Sequence, residues 1–445
     1  MLTQRFRRCA PRQRASLALA ALVLALVAAG CSGGSKPAAT PTVTAAPIIG
    51  SAEPLPPALQ TLLQEVAAVR HLPAPPNLKA GLVSRSDLPA LLNHELTADD
   101  RASFEQTTTL YRLLGHLRKD QSYESVYDEF TSGAVVGFYS PLDKELWVVH
   151  PDGEQTDFDH LSSSERSTLA HELTHAIQDY NFNLTAVFEA TKDNLDRGLV
   201  STCVIEGDAV TTENTFDARY ADVPLSADGS TGALLVVDRT ALTDVPASIQ
   251  RELLLPYTAG RDWVAQVRQA RGDAAIDAML KDPPDGTAYM LHPELLSNGF
   301  KPVEVKLPDL VQPLGTGWSR QSGGQFGEFE LQNYLQLRIP GLDAVSGASG
   351  WTGDHYDVYV DNKLSVAVFR VAFDTAAHAQ RFATAQASFL KAAGGKDSSQ
   401  GRLTLTATND GNTTARAAVQ GTEVLFAIGS SKDVAAKALQ SIVNG

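Results

Sequence analysis

Apolar residues recur along this chain with two different periods, and the change between them divides it. Residues 55–119 read as largely helical: Thr97-Ala98-Asp99-Asp100 is a helix start, followed by Phe104, Leu110, Leu113, Leu114 and Leu117 on one stripe. Residues 134–139 and 145–149 are apolar runs on either side of Ser140-Pro141-Leu142-Asp143-Lys144, whose turn chemistry predicts a β-hairpin. A second helix opens at Ser162-Ser163-Ser164-Glu165, a capping-box signature. It carries Leu169, Leu173, Ala176, Ile177 and Tyr180 at three- and four-residue spacing, uninterrupted by proline or glycine over 165–180. Residues 194–219 predict a third, with Leu195, Leu199, Cys203, Val210 and Phe216 toward a core. After a polar loop at 226–231, helices are expected over 246–255 and 260–280, up to the stop Asp282-Pro283-Pro284-Asp285-Gly286.

From about Pro313 the period falls to two. Residues 356–360 and 365–373 alternate like strands, 375–390 read as a helix, and strands follow at 403–408, 414–419 and 423–428 before a last helix over 432–443. This ββαβββα order predicts a small α+β sandwich with its helices on one face. The chain as a whole is therefore expected to be α+β: a mainly helical domain with a short β-hairpin or edge sheet over 58–310, then a small α+β accessory domain over 311–445.

The first residues stand apart from this pattern. Five arginines precede an apolar stretch from Ala15 to Gly30, as in an export signal, so residues 1–30 are expected to be removed. Ala28-Ala29-Gly30-Cys31 resembles a bacterial lipobox. That resemblance implies lipidation of Cys31, anchoring in the bacterial cell envelope on the extracytoplasmic side of a membrane, and residues 31–57 as a flexible Ser/Gly/Pro/Ala/Thr-rich tether. With Cys9 lost and Cys31 committed to lipid, Cys203 has no partner for a disulfide. The net charge of −14 becomes −19 without the arginine-rich segment, which argues against nucleic acid as a partner.

Candidate chemistry lies in the second helix. His171-Glu172-Leu173-Thr174-His175 places two imidazoles one turn apart on one face, where both can reach a single Zn²⁺. The glutamate between them is placed to take a proton from a water that the metal polarises. Catalytic zinc usually has three protein ligands. The downstream candidates are Glu206 in Val204-Ile205-Glu206-Gly207-Asp208-Ala209, with Asp208, Glu213 and Asp179 as alternatives. Asp208 and Asp179 are also candidates for carboxylates that hold a ligand histidine by its other nitrogen. Asn181 stands where a metzincin has its third histidine.

The string Glu206-Gly207-x-Ala209, 31 residues after His175, resembles the third-ligand helix of the gluzincin metallopeptidases, especially the aminopeptidase branch. The resemblance implies a zincin-like fold, Zn²⁺ on His171, His175 and Glu206, a peptide or protein substrate, and an edge strand beside the cleft. It also implies a later histidine or tyrosine that steadies the oxyanion; Tyr289 and His292 of Thr287-Ala288-Tyr289-Met290-Leu291-His292-Pro293 are the candidates. Gly207 and Ala209 would let the two metal helices approach. With Tyr257-x-x-Gly260 and Gly350-Trp351-x-Gly353-Asp354-x-Tyr356, the stretch 137–373 also resembles uncharacterised bacterial lipoproteins assigned as zinc peptidases. The expected function is a membrane-anchored zinc peptidase with Glu172 as its base. The competing class is a non-catalytic cell-surface binding lipoprotein that keeps the zincin scaffold.

Overall fold

The computed structural model describes residues 23–26, 51–132, 135–150, 152, 157–221 and 244–443. The lipobox with Cys31, the tether up to residue 50, residue 134 and the loop 226–231 lie outside them. So does the apolar stretch 15–30 except for Val23–Leu26, which forms β1. No helix among the described residues is long and apolar enough to cross a membrane.

The first half is helical around one sheet. In chain order it runs β2 (Glu53–Pro54), α1 (Pro57–Arg70), β3 (Lys79–Ser84), α2 (Leu88–Glu95), α3 (Ala98–Leu114), α4 (Tyr123–Ser132), β4 (Val135–Ser140) and β5 (Glu145–His150). There follow α5 (Ser163–Phe182), α6 (Leu184–Thr191), α7 (Leu195–Phe216), α8 (Ala247–Leu254), a π-helical turn at Pro256–Gly260, α9 (Arg261–Arg271) and α10 (Asp273–Lys281). The sheet order is β1-β4-β5-β3-β2, antiparallel except where β3 runs parallel to β5.

The hairpin and the three named helices fall where the pattern puts them. Capping boxes start α3 at Thr97/Asp100 and α5 at Ser162/Glu165. Two details differ. Lys79–Ser84 is a strand inside the stretch read as helical; Gly81 admits the Trp147 ring so closely that a Cβ there would lie 2.3 Å from it. The span 260–280 breaks into α9 and α10 at Gly272, whose φ of 75° ends the first helix. Tyr180, placed on the buried stripe of α5, is exposed.

The second half is α11 (Ala288–Leu291), α12 (Leu295–Asn298), α13 (Val311–Leu314), β6 (Ser319–Gly324), α14 (Glu328–Leu335), α15 (Gly341–Ala348), β7 (Trp351–Val360), β8 (Ser365–Phe373) and α16 (Ala376–Ala392). It ends β9 (Lys396–Gln400), β10 (Leu403–Ala407), β11 (Thr413–Arg416), β12 (Glu423–Gly429) and α17 (Lys432–Val443). An antiparallel seven-stranded sheet results, in the order β6-β7-β8-β12-β11-β10-β9. The α+β class holds, but the pattern ββαβββα lacked the two edge strands. Both β6 and β9 are polar strings without alternation.

Three clusters position the site. Leu59, Leu63, Leu146, Leu169, Leu173, Ile177 and Phe216 bury α5 between α1, β5 and α7. Val200, Val204, Ile205, Trp263, Val264 and Ile276 pack α7 against α9 and α10. A third cluster joins Leu110, Tyr111 and Ile249 to Phe326, Tyr334, Phe369 and Phe426. One apolar core therefore spans the boundary drawn at residue 310.

Candidate metal centre

The middle of α5 is buried on all sides, which costs its polar residues their water and forces each to find a partner. His171, His175 and Glu206 meet there: one ligand atom from each lies within 4.8 Å of the others, and all three residues are buried. His171 Nε2 is 3.2 Å from Glu206 Oε2. His175 Nε2 is 3.5 Å from the same oxygen but has no hydrogen bond, an orphaned buried nitrogen. Two imidazole nitrogens and one carboxylate oxygen turned toward one point, with one nitrogen unpaired, fit a divalent ion bound as two His and one Glu.

The far side of each imidazole is held. His171 Nδ1 lies 3.1 Å from Glu213 Oε2, and Ser167 donates to the other Glu213 oxygen at 2.8 Å. His175 Nδ1 lies 2.8 Å from Gln178 Oε1; Gln178 Nε2 in turn donates to Asp208 at 2.8 Å and to the Ile205 carbonyl at 2.9 Å. Such partners fix the ring and its tautomer so that Nε2 is free to ligate. The carboxylate on a ligand histidine is thus Glu213, not Asp208 or Asp179. Glu213 lies seven residues, two turns, beyond Glu206 and shares its face; Asp208 points away from it, into Arg70 and Arg268. Asp179 takes Lys144, the Tyr139 hydroxyl and the Leu184 N–H at the C-terminal end of α5.

Electrostatics favour a cation at this point. Burial alone would lower His171, but hydrogen bonds and charge from Glu206 and Glu213 raise it to about 10 in the metal-free site. Burial would raise Glu206, yet the two histidines bring it down to about 2. His175 is lowered by burial. A metal ion can replace the proton that the carboxylates otherwise draw onto His171.

Glu172 is fully buried beside the trio, and its Oε2 accepts the Tyr139 N–H of β4 at 2.8 Å. Across from it stands Tyr257, in the π-helical turn. Its ring lies 6.4 Å from that of His171, and its hydroxyl is held by Glu206. Burial first, then the charges of Glu206 and Glu172, push this phenol well above its ordinary value, so it stays a proton donor. The turn comes this close because two glycines face each other. A Cβ on Gly207 would sit 2.6 Å from the Gly260 carbonyl, and one on Gly260 would sit 2.9 Å from that of Cys203. Gly207 therefore serves the contact between α7 and Tyr257 and not the approach of α5 to α7. Cys203 is buried packing against the same turn.

Residues 270–439 match a domain of unknown function (DUF8575). The match covers less than half of the chain and lies wholly C-terminal to the trio, so the metal centre is outside it. No curated protein and no solved structure matches the chain.

Tyr289 and His292 do not join the trio. The Tyr289 hydroxyl donates to the Phe300 carbonyl at 2.6 Å, and His292 Nε2 is paired with Glu328 at 3.0 Å. Their segment is moored at the start of α7, where Asp196 accepts from the N–H and hydroxyl of Thr287. Glu206 lies ten residues further along that helix, about 15 Å at 1.5 Å per residue. In the sequence Tyr257 stands only in the string Tyr257-x-x-Gly260, which assigns it no role. The available signal was Pro256 and Gly260 around it, a helix interruption directly after α8. Gln178 and Glu213 were legible by spacing, three residues from His175 and seven from Glu206.

Proposed function

We propose that this chain is a zinc-dependent peptidase of gluzincin type, with a zincin-like helical body, held by a lipid on Cys31 at the extracytoplasmic side of a bacterial membrane. The observation that carries the reading is the convergence of His171 Nε2, His175 Nε2 and Glu206 on one buried point beside Glu172. Two nitrogens and one carboxylate suit zinc, which when bound supplies a Lewis acid that polarises a peptide carbonyl and acidifies water.

The chain's own residues do the rest. Glu172 takes a proton from the attacking water and passes it to the departing amine. The Tyr139 N–H holds one oxygen of that carboxylate at 2.8 Å and so fixes its orientation. Tyr257, kept neutral, donates a hydrogen bond to the oxygen that gains charge during attack, the role expected of Tyr289 or His292. β1 occupies the outer edge of β4. Removal of the export segment would free that edge beside Glu172. Cys31→Ser should move the protein from the membrane to the soluble fraction; retention would argue for an uncleaved anchor.

Metal affinity tests the ligand set. Glu206→Gln should abolish tight zinc binding, because three protein ligands become two. Glu213→Gln should weaken it only about 10–100-fold, because it loosens His171 without removing a ligand. Titration with a competing chelator reads both. If Glu206→Gln keeps wild-type affinity, the reading fails.

A further inference from the structure

A cavity of about 900 Å³, at the large end of the range for small-ligand pockets, reaches Glu206 and Tyr257 of the candidate metal centre. Leu199 and Thr202 of α7 line it as well. Part of its lining belongs to the C-terminal sheet: Arg320, Gln321, Ser322, Gly323 and Gly324, five successive residues of β6. Side chains alternate between the two faces of a strand, so successive residues line one space together when the strand turns its edge to it.

That edge is open. β6 is the first strand of its sheet and pairs only with β7 among the described residues. It is half-buried over Gln321–Gly324 without an apolar residue of its own. At the Gln321 bulge the side-chain Oε1 is buried without a hydrogen-bond partner. The strand's last residue is pinned, since a Cβ on Gly324 would lie 2.9 Å from the Asp193 carbonyl, so the free edge faces the cavity over residues 320–323. Six carboxylates, Glu189 and Asp193 among them, line the cavity against Lys192 and Arg320, so an acidic peptide is disfavoured there. Unpaired backbone N–H and C=O groups in a partly dry wall recruit another strand.

We propose that β6 takes the substrate as an added strand: an extended, unstructured polypeptide paired through its main chain, largely independent of its side chains. This rests on the peptidase reading for the destination of the bound chain. It makes the C-terminal sheet the recognition wall of the cleft, and longer extended peptides better ligands than dipeptides.

The test uses the full chain carrying Glu172→Gln and a fluorescent library of random twelve-residue peptides. With the tightest peptide bound, amide hydrogen exchange over 319–324 should slow by about tenfold or more. Exchange over Lys396–Gln400, the sheet's other and fully exposed edge, should not change. N-methylating alternate residues of the peptide should weaken binding by about tenfold or more, while methylating the intervening ones should not. Protection confined to 135–140 or to α3, a flat methylation scan, or no binding by any peptide overturns the proposal. Binding on β6 by a chain whose zinc-loaded parent hydrolyses nothing would instead sink the peptidase reading and leave this one standing. Hydrolysis with β6 unprotected would do the reverse.

Discussion

Around each histidine, the residue that holds Nδ1 matters as much as the one that faces Nε2. Glu213 and Gln178 turn both rings so that their second nitrogens meet Glu206, and neither ring can swing while its far side is held. Tyr257 is the other residue with a decisive position. It contributes a hydroxyl and not a ligand, so its loss should separate chemistry from metal binding. Tyr257→Phe is expected to weaken zinc no more than Glu213→Gln does, since its hydroxyl only steadies Glu206, and to lower kcat of the zinc-loaded chain about 10²–10³-fold with KM little changed, the range for one lost oxyanion donor. A variant with unchanged kcat would return that role to another group.

Among the elements, α5 and α7 present the three candidate ligands, and the turn Pro256–Gly260 brings the Tyr257 hydroxyl to Glu206. The Gly207–Gly260 contact sets the spacing of that turn. Gly207→Ala should therefore reproduce the kcat loss of Tyr257→Phe by moving the turn, with the ligands still in place. Much of this layer was legible. The α5 stripe, its capping box and the long helix carrying Glu206 are strong local signals, since apolar period and cap chemistry act within a few residues. The strands β6 and β9 were not legible. Ser-Arg-Gln-Ser-Gly-Gly and Lys-Asp-Ser-Ser-Gln have no apolar face, because edge strands need not bury one, and only their neighbours hold them extended. Asp208 was misplaced for a related reason. Its partners Arg70 and Arg268 are 138 and 60 residues away, and no local spacing shows them.

Across the whole molecule, one core ties the half that carries the His171/His175/Glu206 trio to the C-terminal sheet, and several acids are buried in or near it. Burial raises the carboxyls of Glu95 and Asp196 to about 7 and lifts Glu252 and Glu330 as well. Each stays protonated in the folded chain at a pH where the unfolded chain ionises it. Its contribution to stability is thus complete below the ordinary carboxyl range and is lost as pH rises through the folded value. His116, pushed down to about 3 by burial, and His175, lowered likewise, act oppositely: their contributions are lost as pH falls below the ordinary imidazole value. The four acids outnumber them, and His171, raised to about 10, adds to the same trend as the acids. The denaturant midpoint of the metal-free chain should therefore fall between about pH 5 and 8, and Asp196→Asn should flatten the fall. A midpoint that climbs across this window would contradict the assignment of these groups as buried and neutral.

If Glu172 is the base of a zinc peptidase, as proposed, Glu172→Gln removes the proton acceptor and leaves the rest of the site in place. The amide keeps the shape of the side chain and an oxygen for the Tyr139 N–H, but it cannot accept the proton. Zinc content and hydrolysis of a broad peptide library are measured together on wild type and variant. The expected result is equal zinc, close to one ion per chain, with hydrolysis reduced by about 10²–10⁴-fold or more in the variant. Equal rates in the two proteins, or no hydrolysis by zinc-loaded wild type anywhere in the library, would contradict it and favour a binding protein built on the same scaffold.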